Sequence, residues 1–459
     1  MPRKKSILEK VAEAPAVALE KTVEASGSAA RAIANKKPMR EARGYWRILG
    51  PGLTAGASDD DPAGIATYSQ TGAQYGPQLL WLSGFTFPLM ACVQEMCARI
   101  ALVTGRGLAA NIRSHYPRGI LYTCTVLLFA ANTFNIGADL GAMAESVRLI
   151  FPGANFVMLL AFLETVSLLL QVFSTYARYA AYLKYLAFTL FAYFFSTIMI
   201  KDLDWQAIIF SGLSPSITFT KDQIILICAI LGTTISPYLF FWQSSQEVEE
   251  EILSGKQTVR ARRGASDDEI KRMRIDVWSG MFFSNFIMFF IITACAATLY
   301  VNGVRDITTA ADAAGALRPF AGDASYLLFA LGIVSTGLLA VPVLAGSASY
   351  AVAETFGWKN GLYHKLRNAQ AFYGVLIISM AVGFFLNFVG ISPMKALIYS
   401  AVANGLVAPI VLVLIVSLSS NKKIMGKWTS GRATKFCGRL IAVLMSLAGI
   451  ATLVSFFIV

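Results

Sequence analysis

From residue 45 to the end, the chain is a succession of long apolar runs separated by short polar gaps. A run of about 20 such residues is the length a helix needs to cross the hydrocarbon core of a bilayer, whereas a membrane strand needs only about 10. In lipid every backbone polar group must be satisfied within the structure, which leaves helices and closed barrels as the spanning options. Runs of this length therefore predict an all-α membrane protein. The spans fall at 48–75, 79–103, 119–147, 154–173, 181–200, 222–246, 276–301, 325–354, 370–389, 394–419 and 437–458, eleven in all.

Composition agrees, with 56% hydrophobic and 14% charged residues, against about 25% charged in soluble domains. The net charge of +12 does not point to nucleic acid, because the cations sit in the gaps between spans, where topology rules place them. Of the 39 lysines and arginines, 32 precede the first span or lie in or within four residues of every second gap. Only Arg148, Lys201, Lys221, Arg305 and Arg318 occupy the alternate gaps. The positive-inside rule then puts the N-terminus in the cytoplasm and, with eleven spans, the C-terminus outside. Residues 1–44, rich in Ala, Lys, Arg and Glu, read as a basic disordered cytoplasmic arm with no secretory leader. Residues 45–459 form the membrane domain. The six cysteines read as small buried apolar residues, since even Cys92 and Cys97 lack metal-site spacing.

Two spans cannot be simple helices. The first carries Ser58-Asp59-Asp60-Asp61-Pro62-Ala63-Gly64 inside an apolar stretch. A charge at the bilayer centre costs at least about 2.5 kcal/mol, and Pro62 removes a backbone donor. The sixth span is interrupted in the same way at Thr233-Thr234-Ile235-Ser236-Pro237-Tyr238. Irregular backbone at membrane depth is tolerated where it lines a cavity or is buried in protein. Interrupted spans at corresponding places in two halves mark a transporter's binding site, where freed carbonyls and half-helix ends can hold a cation. The halves are repeat one at about 45–200 and repeat two at about 222–419, followed by an extra helix at about 437–458.

The residues at these two interruptions resemble the signatures of the Nramp metal-ion transporters. Asp61-Pro62-Ala63-Gly64 is similar to the family's first-helix Asp-Pro-Gly-Asn, and Thr233 to Tyr238 resembles its sixth-helix Ala-Thr-Val-Met-Pro-His. Asn285 matches a family asparagine in the seventh span. The resemblance implies a LeuT-like 5+5 inverted-repeat fold with broken first and sixth helices and an eleventh transmembrane helix. It also implies a metal site made by the Asp61 side chain, the positions of Gly64 (family Asn) and Ser236 (family Met), and the carbonyls of Ser58 and Thr233.

The two substitutions change the chemistry expected of that site. A thioether is soft and favours transition metals, whereas the Ser236 hydroxyl is a hard oxygen. Gly64 carries no side chain, which leaves room. Mg²⁺ dehydrates reluctantly and is held through one or two carboxylates and several waters. The pattern resembles the Nramp-related magnesium transporters and predicts Mg²⁺ as cargo, with Mn²⁺ also passing and Ca²⁺ as a competitor. Asp59, Asp60, Gln70, Tyr238, Gln243, Asn285 and Asp139 are expected as pathway groups or water holders around the ion. Pro62 and Pro237 break the helices.

The family's sixth-helix histidines correspond to Tyr238 and Gln243, and the chain's only histidines, His115 and His364, fall in cytoplasmic gaps. Asp139 lies near the family's third-helix acidic pair, of which the first acid is replaced by Ile136. The expectation is uptake without protons, since an inward-negative potential supplies about 4.6 kcal/mol per 100 mV to a divalent ion. The alternative is a proton-coupled Mn²⁺/Fe²⁺ transporter of the usual family kind. A sodium-coupled solute carrier would not want three carboxylates in its site, and no phosphate loop, nucleophile elbow or zinc motif supports an enzyme. The reading needs no cofactor and no partner beyond the ion and the lipid bilayer. It predicts a single-chain transporter in a cell membrane, with the compact loops favouring a bacterial inner membrane.

Overall fold

The computed structural model describes residues 50–173, 187–201 and 203–457, and its regular structure there is entirely helical. The predicted arm at 1–44, the first two residues of the first span, the start of the fifth span and the last residue of the eleventh lie outside the described residues. The first span is two half-helices, α1 (Pro51–Asp59) and α2 (Pro62–Tyr75). Then come α3 (Trp81–Thr104), a short α4 (Leu108–His115), α5 (Arg118–Ile150), α6 (Phe156–Phe173), α7 (Phe191–Met199) and a short α8 (Trp205–Leu213). The sixth span is again split, into α9 (Lys221–Thr234) and α10 (Pro237–Leu253). The rest are α11 (Asp267–Cys295), α12 (Ser325–Phe356), α13 (Gln370–Leu386), α14 (Pro393–Ser420) and α15 (Arg432–Ser455).

Each of the eleven predicted spans has its helix or half-helix pair, but several ends differ. Helix α11 begins at Asp267, well before the expected 276, because Ser266 and Glu269 form a capping box and the charged first turns continue the helix beyond the apolar stretch. Helix α10 likewise runs on through Glu247–Glu251. Hydropathy marks where lipid contact ends, not where the helix ends. Helices α4 and α8, of 8 and 9 residues, are too short to span.

The surface differs from that of a soluble protein, because large apolar side chains cover it while the apolar core also encloses polar and acidic groups. Val126, Met158, Phe162, Phe210, Phe385, Val413 and Leu447 are exposed, while Asp59, Asp60, Asp139, Asn132, Asn135 and Gln243 are fully buried. A bilayer favours an apolar outside and confines polar groups to the inside of the bundle, where they bond between helices or face a cavity.

Both interruptions have the same local cause. The residue before a proline is pushed to extended backbone, and proline is favoured at the first helical position. Asp61 is extended (φ −67°, ψ 172°) and Pro62 starts α2. Ser236 is extended (φ −76°, ψ 133°) and Pro237 starts α10.

Helix α1 is fixed by its neighbour α11. Asp276 accepts from the backbone N–H groups of Gly50 (2.7 Å), Gly52 (2.6 Å) and Leu53 (3.0 Å), serving as a cap supplied from another helix. Along the same crossing, a Cβ on Gly56 would lie 2.1 Å from the Gly280 carbonyl oxygen, and one on Gly280 would lie 2.0 Å from that of Gly52. The backbones touch because only hydrogen stands between them, the small-residue packing that membrane helices use.

Candidate metal-binding site

The four half-helix ends meet in the interior, and tyrosines tie them crosswise. Tyr238 on α10 donates its hydroxyl to the Ser58 carbonyl at the end of α1 (2.8 Å), and Tyr68 on α2 shares a hydrogen bond with Thr234 Oγ1 at the end of α9 (3.0 Å). Ser58, Asp59, Asp60, Asp61, Thr233, Ser236 and Tyr238 are all buried.

Asp61 is the most engaged of the three acids. Its Oδ1 accepts from the Gly64 amide (2.7 Å) and caps α2, as an aspartate before a helix-starting proline does. Its Oδ2 accepts from Asn135 Nδ2 on α5 (3.0 Å) and lies 3.4 Å from the Tyr238 hydroxyl. Asn135 is itself held by Ser400 of α14, which donates to its Oδ1 at 2.6 Å. Asp59 turns the other way, where Ser284 of α11 donates to its Oδ2 (2.5 Å) and lies 3.4 Å from Asp60 Oδ1. Asp139 sits near Asp61 and the Ala63 amide, but neither of its oxygens reaches hydrogen-bond geometry.

What remains is a set of buried carboxyl groups without counter-charge. Asp59 Oδ1, Asp60 Oδ2, both Asp139 oxygens and Ser58 Oγ have no partner among the described residues. No lysine, arginine or histidine there pairs with these carboxylates; the ion pairs engage Glu95, Glu251, Asp267 and Glu269 instead. A buried carboxylate is tolerated when protonated, paired or bound to a cation. Yet no three acidic, histidine or cysteine side chains among the described residues converge closely enough to clasp a bare ion.

Several expected participants are placed differently. The Ser236 hydroxyl turns back on the end of α9, donating to the Gly232 (2.6 Å) and Thr233 (2.8 Å) carbonyls. The proline break frees those carbonyls, and the hydroxyl is the nearest donor. The room expected at Gly64 is not open, since a Cβ there would lie 3.0 Å from the Asp59 carbonyl oxygen and 3.3 Å from Thr233 Oγ1. Gln70 does not face the break. It accepts from the Ile307 amide (2.8 Å) and donates to the Arg305 carbonyl (3.1 Å), fastening an outer loop. Asn285 accepts from Thr86 (2.8 Å) and donates to the Met281 carbonyl (2.9 Å), joining α11 to α3. Gln243 accepts from Gln94 (3.3 Å) and donates to Glu247 (2.8 Å), a polar chain leading along α10 away from the break.

Asn135, Ser284, Ser400, Tyr68 and Thr234 are the residues sequence reasoning did not place. In the sequence Asn135 is one of several polar groups within a span, for which helix–helix bonding is the ordinary expectation. Neither histidine lies near the breaks: His115 ends α4 and His364 lies in the loop between α12 and α13. Partial burial, with Lys359 adding to it, holds the His364 imidazole below its ordinary value.

Broken helices meeting over buried, unpaired carboxylates define a membrane transporter of the inverted-repeat class. Solved structures share the fold. A manganese transporter of Eremococcus coleocola, in complex with an aromatic bis-isothiourea compound, superposes with a TM-score of 0.68 at 17% identity, over 89% of this chain and 86% of that one. The nucleobase-cation-symport-1 family transporter Mhp1, in a closed conformation, gives 0.53 at 14% identity over 89% and 91%. The model for natural resistance-associated macrophage protein-like (Nramp) sequences matches residues 52–455, and the chain belongs to that family, which comprises transporters and not enzymes. Among relatives, the divalent metal cation transporter MntH of Pectobacterium carotovorum is 25% identical over 403 residues, covering 87% of this chain and 92% of its own. That of Erwinia tasmaniensis is 26% identical over 412 residues, with 87% and 92% covered.

Proposed function

We propose that this transporter takes up Mg²⁺ with part of its water shell retained, that Mn²⁺ follows the same route, and that no proton moves with the ion. Transport of a divalent metal cation is the activity of the family's relatives, and the metal is the cargo of this chain, with no cofactor. The observation that carries the reading is the set of buried carboxylate oxygens on Asp59, Asp60 and Asp139 that have no partner and no counter-charge among the described residues. In this reading Asp61 is the principal ligand, aided by the Ser58 and Thr233 carbonyls. Tyr238 and Ser236, whose hydroxyls now cover those carbonyls, release them when the ion enters. Gly64 keeps the contact between the two breaks thin. Carboxylates that do not converge on one point suit an ion that keeps waters between itself and the protein, and the site's oxygens are hard donors that do not discriminate against Mg²⁺. Positive-inside counting supports a cytoplasmic N-terminus and an outer C-terminus, in a single chain within the cell membrane.

A proton-coupled Mn²⁺/Fe²⁺ carrier is the second reading, and two observations favour it. The Met288 sulfur lies 3.9 Å from Thr234 Oγ1, close to the second break, where it offers a soft donor. Asp139 is a buried acid beside Asp61 that could carry a proton.

Mg²⁺ uptake into proteoliposomes by the wild type and by Asp61→Ala tests the ligand assignment. Abolished uptake in a variant that still folds supports it, and wild-type uptake by that variant overturns it.

A further inference from the structure

Away from the broken spans, the basic face holds a cavity of about 410 Å³ built from three segments remote in sequence. The turn after α3 and helix α4 supply Arg106, Ser114 and His115; the loop between α10 and α11 supplies Arg260 and Arg263; the short helix Lys422–Met425 supplies Lys423. Among the described residues no carboxylate lines it.

The walls are pinned before any ligand arrives. Arg262 is buried, donating from Nη1 to the carbonyls of Lys256 and Gln257 (both 2.9 Å) and from Nε to that of Gly105 (3.3 Å). The Gly264 amide donates to the Val103 carbonyl at 2.9 Å. The loop is thereby stitched to the end of α3, which sets Arg260 and Arg263 on either side of the anchor. Trp428 Nε1 donates to the Ala265 carbonyl at 3.1 Å and draws in the segment that carries Lys423. On the α4 side, Asn111 donates to Thr104 Oγ1 and to the Arg106 and Gly107 carbonyls (each 2.9 Å), and Arg106 Nη1 donates to Ser114 Oγ at 3.1 Å.

Nearby carboxylates are already engaged: Lys256 pairs with Glu251 (2.9 Å) and Glu269 (2.6 Å), and Lys427 with Asp267 (3.1 Å). Arg106, Arg260, Arg263 and Lys423 have no ion-pair partner among the described residues. Four cations around one concavity raise the local concentration of anions. Guanidinium forks match phosphate oxygens two at a time, and the volume lies in the usual range for small-ligand sites.

We propose that this cavity binds a multiply charged phosphate anion, the chemistry shared by free polyphosphates and phosphorylated lipid headgroups. The loop bearing Arg260 and Arg263 continues directly from α10, which begins at the second break, so an anion bridging it to α4 and Lys423 would be held against the element that leads from that break.

The test is thermal unfolding of the full chain in detergent, titrated with inorganic tripolyphosphate and, separately, with a water-soluble short-chain phosphatidylinositol bisphosphate. The expected result is a saturable rise in Tm that weakens with salt. The double variant Arg260→Ala/Arg263→Ala should bind roughly thirtyfold more weakly and Lys423→Gln about fivefold more weakly, at about fivefold per cation removed. Response to tripolyphosphate identifies a free anion as sufficient, and response to the lipid alone identifies the membrane as the source; either supports the site. No shift with either probe, or equal affinity in wild type and Lys423→Gln, overturns it. Lys423 is exposed and keeps the test decisive if the double variant does not fold.

Discussion

At the first break the residue before the proline is Asp61; at the second it is Ser236. Both are extended and both precede a helix whose first residue is proline. Asp61 points forward and caps α2, whereas Ser236 points backward and covers the last carbonyls of α9, leaving α10 without a side-chain cap. The first break therefore gathers acidic groups, with unpaired oxygens on its neighbours, and the second has no acid and is closed on itself. The same backbone instruction thus yields two roles. In our account the first break supplies the attraction for a cation, and the second decides how soft a cation is accepted and when the carbonyls open.

Neutralising the charged break should have the largest effect. Asp61→Asn keeps an acceptor for the Gly64 amide but removes the charge, and Mg²⁺ uptake in proteoliposomes should fall by about 100-fold or more with little change in Tm. Asn135→Ala removes the amide that holds Asp61 Oδ2; a supporting group of this kind is worth about 10-fold in metal affinity, readable by calorimetric titration with Mg²⁺. Changing the neutral break should move selectivity instead: Ser236→Met should shift the Mn²⁺ to Mg²⁺ uptake ratio toward Mn²⁺ by about 10-fold, since it exchanges a hard donor for a soft one. Tyr238→Phe removes one hydrogen bond across the breaks, about 1 kcal/mol, and should change the KM for Mg²⁺ only a few-fold. Gln70→Ala should leave ion affinity unchanged, because Gln70 fastens an outer loop; a clear loss of Mg²⁺ binding would place it at the ion after all.

The contrast between the breaks was partly legible in the sequence. A proline inside an apolar run, preceded by Asp61 or Ser236, announces both the interruption and the new helix start, because those effects are local. Which way each side chain turns is not local. Ser236 bonds backward because the break frees two carbonyls within its reach, and Gln70 leaves the site because the loop at 305–307 folds over α2. Ser284 and Ser400 gave no signal, since a serine in a membrane helix usually bonds its own helix; only packing brings them to Asp59 and Asn135. The basic cavity was hidden for the same reason: its cations come from three gaps that read separately as topology markers.

The most direct test of the account is to record Mg²⁺ influx and lumenal pH together in proteoliposomes holding the wild-type chain, under an inward-negative potential. The account predicts Mg²⁺ entry that rises with the potential, with no acidification of the lumen and no dependence on an imposed pH gradient. Lumenal acidification in step with metal entry, or entry of Mn²⁺ with Mg²⁺ excluded, would contradict it and assign the chain the proton-coupled chemistry of a manganese carrier.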